Sequence, residues 1–131
     1  MPDFERSGMW ANLGARVTEL DNGRAVVEAT LTAEKHGFPT AKGTIVHGGA
    51  LAALADMALA SAGASVAGDG RGVATVDLRV DFMRPGQPGR LVARATVRRQ
   101  TRHLCFAETA VEQADGTLVV EARAVLAFVP R

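Results

Sequence analysis

The sequence predicts an α+β fold: a mainly antiparallel β-sheet with one long central helix. Three observations carry that prediction. Hydrophobic period is close to two before residue 32, helical between about 48 and 66, and two again from residue 74 onward. Hairpin signals stand at Asp21-Asn22-Gly23 and Asp115-Gly116. The resulting order is strand, strand, helix and four strands, and hairpin-length links favour antiparallel neighbours. A sheet of that size needs one face covered, and the chain offers one good helix to cover it.

Taken in order, residues 1–11 are a short irregular or helical lead-in. Leu13, Ala15 and Val17 mark one face of a first strand. Ala25, Val27, Ala29 and Leu31 mark one face of a second, opposite Arg24, Glu28, Thr30 and Thr32. Residues 34–46, with Gly37, Pro39 and Gly43, read as a loop. The helix is expected over about 48–66. Leu51, Leu54, Ala55, Ala58 and Ala62 form its apolar stripe, and nine alanines between positions 50 and 67 give it strong helix propensity. In the third strand, Ala74, Val76, Leu78, Val80 and Phe82 alternate with Thr75, Asp77, Arg79, Asp81 and Met83. Pro85-Gly86-Gln87-Pro88-Gly89 ends it. Leu91, Ala93, Ala95 and Val97 mark the fourth strand, a less regular fifth lies around 103–112, and Leu118, Val120, Ala122, Ala124, Leu126 and Phe128 mark the last.

Composition limits the function. A chain of 131 residues fits a single domain, 1–131. With 47% hydrophobic and 22% charged residues it is globular, not disordered. A net charge of +1 argues against a general polyanion binder, which needs many unopposed cations. One cysteine excludes an internal disulfide and a Cys-only zinc cage and fits a reducing compartment, so a cytoplasmic location is expected. The start MPDFERSGMW lacks the basic-then-apolar pattern of a secretory signal. The stretch 43–68 is too rich in Gly, too short of large apolar residues and too interrupted by Asp56 and His47 to make a good membrane span.

Asp56 is the only charged residue between Gly43 and Gly68. It lies off the apolar stripe among Gly49, Ala52, Ala53, Ala60 and Gly63, small residues that leave space above a carboxylate. An isolated carboxylate in apolar surroundings costs free energy, and such costs concentrate at functional sites. A plain solvent face would hold several charges, so the functional reading is preferred. His47-Gly48-Gly49 opens the helix, where free N–H groups and the helix dipole can stabilise a developing oxyanion. Asp56 is two to three turns further along, so one ligand reaches both only if it, or a second chain, bridges the gap. His36, His47 and His103 have no metal-type spacing, and Cys105 reads as an ordinary half-buried residue. Segment 71–102 holds eight Arg against Asp77 and Asp81. Arg79 and Arg94 read as paired surface residues. Arg98-Arg99 and Arg102 are better placed for phosphate, which the Arg fork matches.

Three stretches, Gly43-Thr44-Ile45-Val46-His47-Gly48-Gly49, Leu54-Ala55-Asp56 and Thr75 to Pro85, are the basis of a resemblance. Over roughly residues 12–129 the chain resembles the hotdog-fold acyl-CoA thioesterases of the phenylacetate-pathway (PaaI-like) type. The resemblance implies a sheet wrapped around the central helix and two chains joined edge to edge, with the active site between them. It implies Asp56 as nucleophile or general base, the Gly48 N–H as oxyanion donor, Thr75 as a residue orienting water or the carboxylate, and His47 as a shaper of the loop or a contact near the thioester. Gly49, Arg84, Arg99 and Arg102 become substrate-binding candidates, the arginines for CoA phosphates. The implied reaction is hydrolysis of an aryl- or medium-chain acyl-CoA, with CoA part of the substrate and no metal or other cofactor. The expected partners are acyl-CoA and further copies of the chain, a homodimer doubling to a tetramer, without nucleic acid or membrane.

One position departs from the pattern. Many members carry Asn or Gln six residues before the motif His, where this chain has Ala41. A non-catalytic acyl-CoA-binding hotdog protein is therefore the alternative, separated by thiol release from a panel of acyl-CoAs. An Arg-driven nucleic-acid binder is a third reading, weakened by the absence of Tyr and by Trp10 lying outside the Arg segment. The related dehydratase pattern starting at His36 is rejected, because the matching acid would fall at Ala50.

Overall fold

Alternation decides which face of each strand meets the helix. The computed structural model describes residues 3–6 and 8–131. In it β1 (Arg16–Asp21) and β2 (Arg24–Leu31) form the expected hairpin, and Asn22 takes the positive φ of 27° that its tight turn requires. Ala25, Val27, Ala29 and Leu31 are all buried. Leu13 and Ala15 are buried too, but they sit in helix α1 (Gly8–Leu13) and its link to β1 rather than in the strand. The lead-in thus consists of a 3-10 turn (Asp3–Arg6) followed by α1. Glu5 in that turn is buried, and its carboxylate accepts the Val17 N–H at 2.6 Å on the outer margin of β1. Phe4 meets Trp10 edge to face with ring centroids 4.7 Å apart.

Residues 34–46, expected as a loop, are ordered into one helical turn α2 (Ala33–His36) and a two-stranded ribbon, β3 (Gly37–Thr40) with β4 (Gly43–Val46). Gly and Pro punctuate loops, but they also suit a short ribbon outside the main sheet. The Thr32 hydroxyl caps α2 by accepting the Lys35 N–H at 3.1 Å. Gly37 is required sterically, because a Cβ there would lie 2.3 Å from the Ala33 carbonyl oxygen. His36 is buried. Its Nδ1 accepts the Thr32 N–H at 2.9 Å, which leaves Nε2 to donate to the Asn12 carbonyl at 3.0 Å. It is a structural histidine that ties α1 to α2.

Helix α3 (Gly48–Ala64) ends two residues before the expected limit. The Ser65 hydroxyl donates to the Ala62 carbonyl at 2.6 Å and accepts the Gly23 N–H at 2.7 Å, which pins the helix end to the first hairpin. Leu51, Leu54, Ala55, Ala58 and Ala62 are buried, and so are Met57, Leu59 and Gly63. The buried arc exceeds the stripe because α3 touches all six strands of the main sheet. Each fully buried leucine contributes roughly 2 kcal/mol. Gly63 lets the helix approach closely, since a Cβ there would stand 2.5 Å from Leu126 Cδ1.

The main sheet is antiparallel throughout, in the order β1-β2-β6-β7-β8-β5, with β5 (Arg71–Phe82), β6 (Gly89–Gln100), β7 (Leu104–Gln113) and β8 (Leu118–Pro130). β7 is a continuous ten-residue strand. Its pattern looks irregular because Thr109 occupies an inward position, where its hydroxyl donates to the Arg94 carbonyl at 2.7 Å. β5 departs from the expected alternation. A bulge between Thr75 and Asp77 inserts Val76 as an extra residue. Val73 and Thr75 lie opposite the buried Phe128 and Leu126, and after the bulge Leu78 and Val80 lie opposite the buried Ala124 and Ala122. Thr75 therefore shares the helix-facing side with Leu78, although at this edge it is itself exposed, as are Ala74 and Val76, the last at 63%. β5 is an edge strand, and its outer side carries no partner strand among the described residues.

Candidate active site

Asp56 sits at the seam between α3 and β5. The bulge turns Thr75 inward at that level, and its hydroxyl donates to Asp56 Oδ1 at 2.7 Å. The other carboxylate oxygen accepts no hydrogen bond from the described residues. Asp56 is half-buried, flanked by the half-buried Ala52, Ala53 and Ala60. Gly63 does not add open space above it, because Leu126 and Val73 fill that place. The result is one oriented oxygen and one available oxygen beside a bare sheet edge.

The N-terminus of α3 forms the second part. His47 is the N-cap residue, and its ring Nδ1 accepts the Gly49 N–H at 2.9 Å. The His47 carbonyl takes the Ala50 N–H at 3.0 Å. The Gly48 N–H, first in the helix, has no intrahelical acceptor and stays available. Gly48 borders an open, largely apolar pocket of 360 Å³ lined also by Ile45, Val46, Leu51, Phe82, Met83 and Pro85. A Cβ on Gly48 would come within 3.2 Å of the Phe82 ring, so glycine lets that ring lie against the backbone. Phe38 meets the His47 ring edge-on at 5.9 Å. Along the helix Gly48 and Asp56 are eight residues apart, about 12 Å. One chain does not place both on a single carbonyl.

The arginine candidates separate. Arg84 borders the cavity, and its guanidinium donates to the Leu118 carbonyl at 3.1 Å. Arg102 lies at the far end of α3, where Arg71 bonds the carbonyls of both Ala67 and Arg102 and stacks on Phe128. Arg99 is exposed on β6 near the same end. Arg79 pairs with Asp81 and Arg94 with Glu112, as the sequence suggests. Arg98 does not stay with Arg99 and Arg102 as a free cation, because Glu108 engages it at 3.3 Å. Such exposed pairs are worth about 0.2–1 kcal/mol each, so they matter here by occupying the guanidinium.

Burial pushes the Cys105 thiol above its ordinary range, which keeps it an inert core residue. Among the described residues no group of three or more His, Cys, Asp or Glu is arranged to hold a metal. The residues that sequence reasoning missed are Phe38, Ile45, Phe82 and Met83 around Gly48. Their signal was available only for Phe82 and Met83, large apolar residues placed just before Arg84-Pro85 at a strand end.

Residues 43–120 match the family model of the thioesterase superfamily. The structure is similar to the PaaI protein of E. coli, from the phenylacetic acid degradation operon, at 29% identity and a TM-score of 0.84, covering 96% of this chain and 87% of that one. A thioesterase family protein from Silicibacter pomeroyi is 26% identical with a TM-score of 0.85, over 98% and 93% of the two chains. A thioesterase from Haemophilus influenzae shares the fold at 20% identity and a TM-score of 0.86, over 97% and 86%. No curated protein matches the chain.

Proposed function

Because the chain belongs to the thioesterase superfamily and is a thioester hydrolase of the hotdog fold, we propose that it hydrolyses aryl- or medium-chain acyl-CoA esters at a site shared by two copies. The observation that carries this reading is the pairing of an oriented carboxylate, Asp56 held by Thr75, with an unpartnered edge strand directly beside it. A second copy joined antiparallel along β5 brings its own Gly48 toward the Asp56 of the first, which closes the gap within one chain.

In this arrangement the thioester carbonyl oxygen accepts the Gly48 N–H of one copy, with the helix dipole behind it. The free oxygen of Asp56 from the other copy adds to the carbonyl carbon or takes a proton from the water that does. Either route breaks the C–S bond, expels CoA thiolate and consumes one water. The acyl group lies in the apolar cavity beside Phe82 and Met83, and Arg84 at its rim faces the phosphate-bearing end of CoA. Arg99 and Arg102 serve the nucleotide only from the far end of α3. The chemistry uses a carboxylate, water and an amide donor and calls for no further cofactor.

Nucleic acid is not part of this reading, since Arg79, Arg90, Arg94 and Arg98 are engaged by acidic partners. No helix among the described residues is long and apolar enough to cross a membrane, and the proposed location is the cytoplasm, where CoA esters are made and used. Free-thiol release from a panel of acyl-CoAs, run with the wild type and Asp56→Ala, tests the proposal. Turnover by the wild type and its loss in a folded variant are expected. Full activity of Asp56→Ala would overturn the assignment of Asp56, and stoichiometric binding without turnover would overturn the proposal as a whole.

A further inference from the structure

The residue that closes the N-terminus of α3 is an unusual cap. Ser, Thr, Asp and Asn cap helices with oxygens that accept at any neutral pH. His47 caps with a ring nitrogen, Nδ1, which accepts the Gly49 N–H at 2.9 Å. A histidine nitrogen accepts only when it carries no proton, so this contact exists only in the neutral ring with its proton on Nε2. The ring is exposed to solvent and rests on the first turn of the helix and on Phe38. It lies flush on Gly49, where a Cβ would stand 3.1 Å from Nδ1. Phe38, 51% exposed and so without a core role, meets it edge-on. The His47 main-chain N–H donates to the His36 carbonyl at 2.7 Å.

We propose that His47 is a positioning residue: through Nδ1 it fixes the first turn of α3 and hence the direction of the Gly48 N–H, so that the enzyme is competent only while this ring is neutral. The proposal rests on the reading of Gly48 as carbonyl donor. The charged and titratable groups on the surrounding elements are Glu34, Lys35 and His36 of α2, Lys42 in the ribbon turn, Asp81 and Arg84 at the end of β5, and Asp56 on α3. The His36 ring is turned to Asn12, Arg84 to the Leu118 carbonyl, Asp81 to Arg79 and Asp56 to Thr75. None of the ion pairs among the described residues includes His47. Protonation of Nδ1 therefore sets a donor against the Gly49 N–H with no carboxylate in ion-pair range to compensate.

The test compares wild type, His47→Asn and His47→Ala with octanoyl-CoA and phenylacetyl-CoA as probes, alongside nitrogen-15 NMR of the histidine rings. Asn keeps an accepting cap and does not titrate. At neutral pH His47→Asn is expected within about threefold of wild-type kcat, and His47→Ala about tenfold lower, the factor a lost cap corresponds to. The kcat–pH profiles of wild type and His47→Asn are expected to differ in shape, because only the wild type carries a ring nitrogen at the cap. NMR is expected to find the His47 proton on Nε2. A proton on Nδ1 at neutral pH, a His47→Asn profile identical to the wild type, or His47→Ala with full activity would each overturn the proposal. A wild type that hydrolyses neither ester strikes the functional reading instead, and the NMR arm still decides the state of the ring.

Discussion

The Thr75 hydroxyl donates to the Asp56 carboxylate at 2.7 Å across the seam between β5 and α3. It does so only because Val76 is an extra residue in the ladder. Without the bulge, Thr75 and Leu78 would fall on opposite faces, since a one-residue slip inverts every side chain beyond it.

A hydrogen bond to a charged group is worth about 1.5–3 kcal/mol. Thr75→Ala should therefore lower kcat by about 10–100-fold, while Thr75→Ser keeps most of it. Asp56→Ala should lower it further, by about 10²–10⁴-fold. Steady-state thiol release with circular dichroism as a folding control measures both. Equal activity of Thr75→Ala and wild type would remove Thr75 from the site.

The bare margin of β5 gives a second prediction. Val76→Lys places a charge on the exposed bulge, and edge lysines block strand addition. The variant should run as a monomer in light scattering and lose turnover, with the melting behaviour of a folded chain. An active monomer would show that one copy suffices.

Arg84 and Arg94 make a matched pair of tests. Arg84 borders the cavity, whereas Arg94 is held by Glu112. Loss of an exposed charge contact costs about 1 kcal/mol. Arg84→Ala should then raise KM about fivefold with kcat little changed, and Arg94→Ala should leave both unchanged. A KM that is the same in Arg84→Ala and wild type would place the CoA phosphates elsewhere.

Gly37 carries a prediction about stability. A Cβ there meets the Ala33 carbonyl oxygen at 2.3 Å and Thr44 Cγ2 at 2.5 Å, and backbone gives way less readily than a side-chain tip. Gly37→Ala should cost about 1–3 kcal/mol and lower the thermal midpoint by roughly 3–10 °C. An unchanged midpoint in calorimetry would mean that α2 unwinds freely.

Cys105 supplies the last one. Burial holds its thiol above the ordinary range, so the nucleophilic thiolate is scarce at neutral pH. A disulfide reagent should label it slowly in the native protein and fully after denaturation. Fast native labelling would mean that the core opens readily around β7.

Much of the architecture was legible because burial follows periodicity. The α3 stripe and the alternating Ala25, Val27, Ala29 and Leu31 were read from spacing alone. What escaped was local exception. Val76 looks like any apolar strand residue, and nothing in its chemistry announces that it stands outside the ladder. Residues 34–46 hid α2 and a ribbon because Gly37, Pro39 and Gly43 signal broken structure whichever way they are used. Asp56 and Gly48 were legible as isolated chemistry, one charge and one motif in an apolar run. Phe38 was not, because its neighbour, the His47 ring, is nine residues away and meets it only when the ribbon folds back.

The two margins of the main sheet are treated differently. Glu5 reaches over from the N-terminal turn and takes the Val17 N–H of β1, while β5 has no partner along its outer side among the described residues. A sheet open at both ends can grow without limit, and unguarded edges are the route to fibres. When two such chains meet through β5, the two margins that remain are both β1, and each carries a carboxylate, Glu5, at Val17, where an added strand would have to displace it.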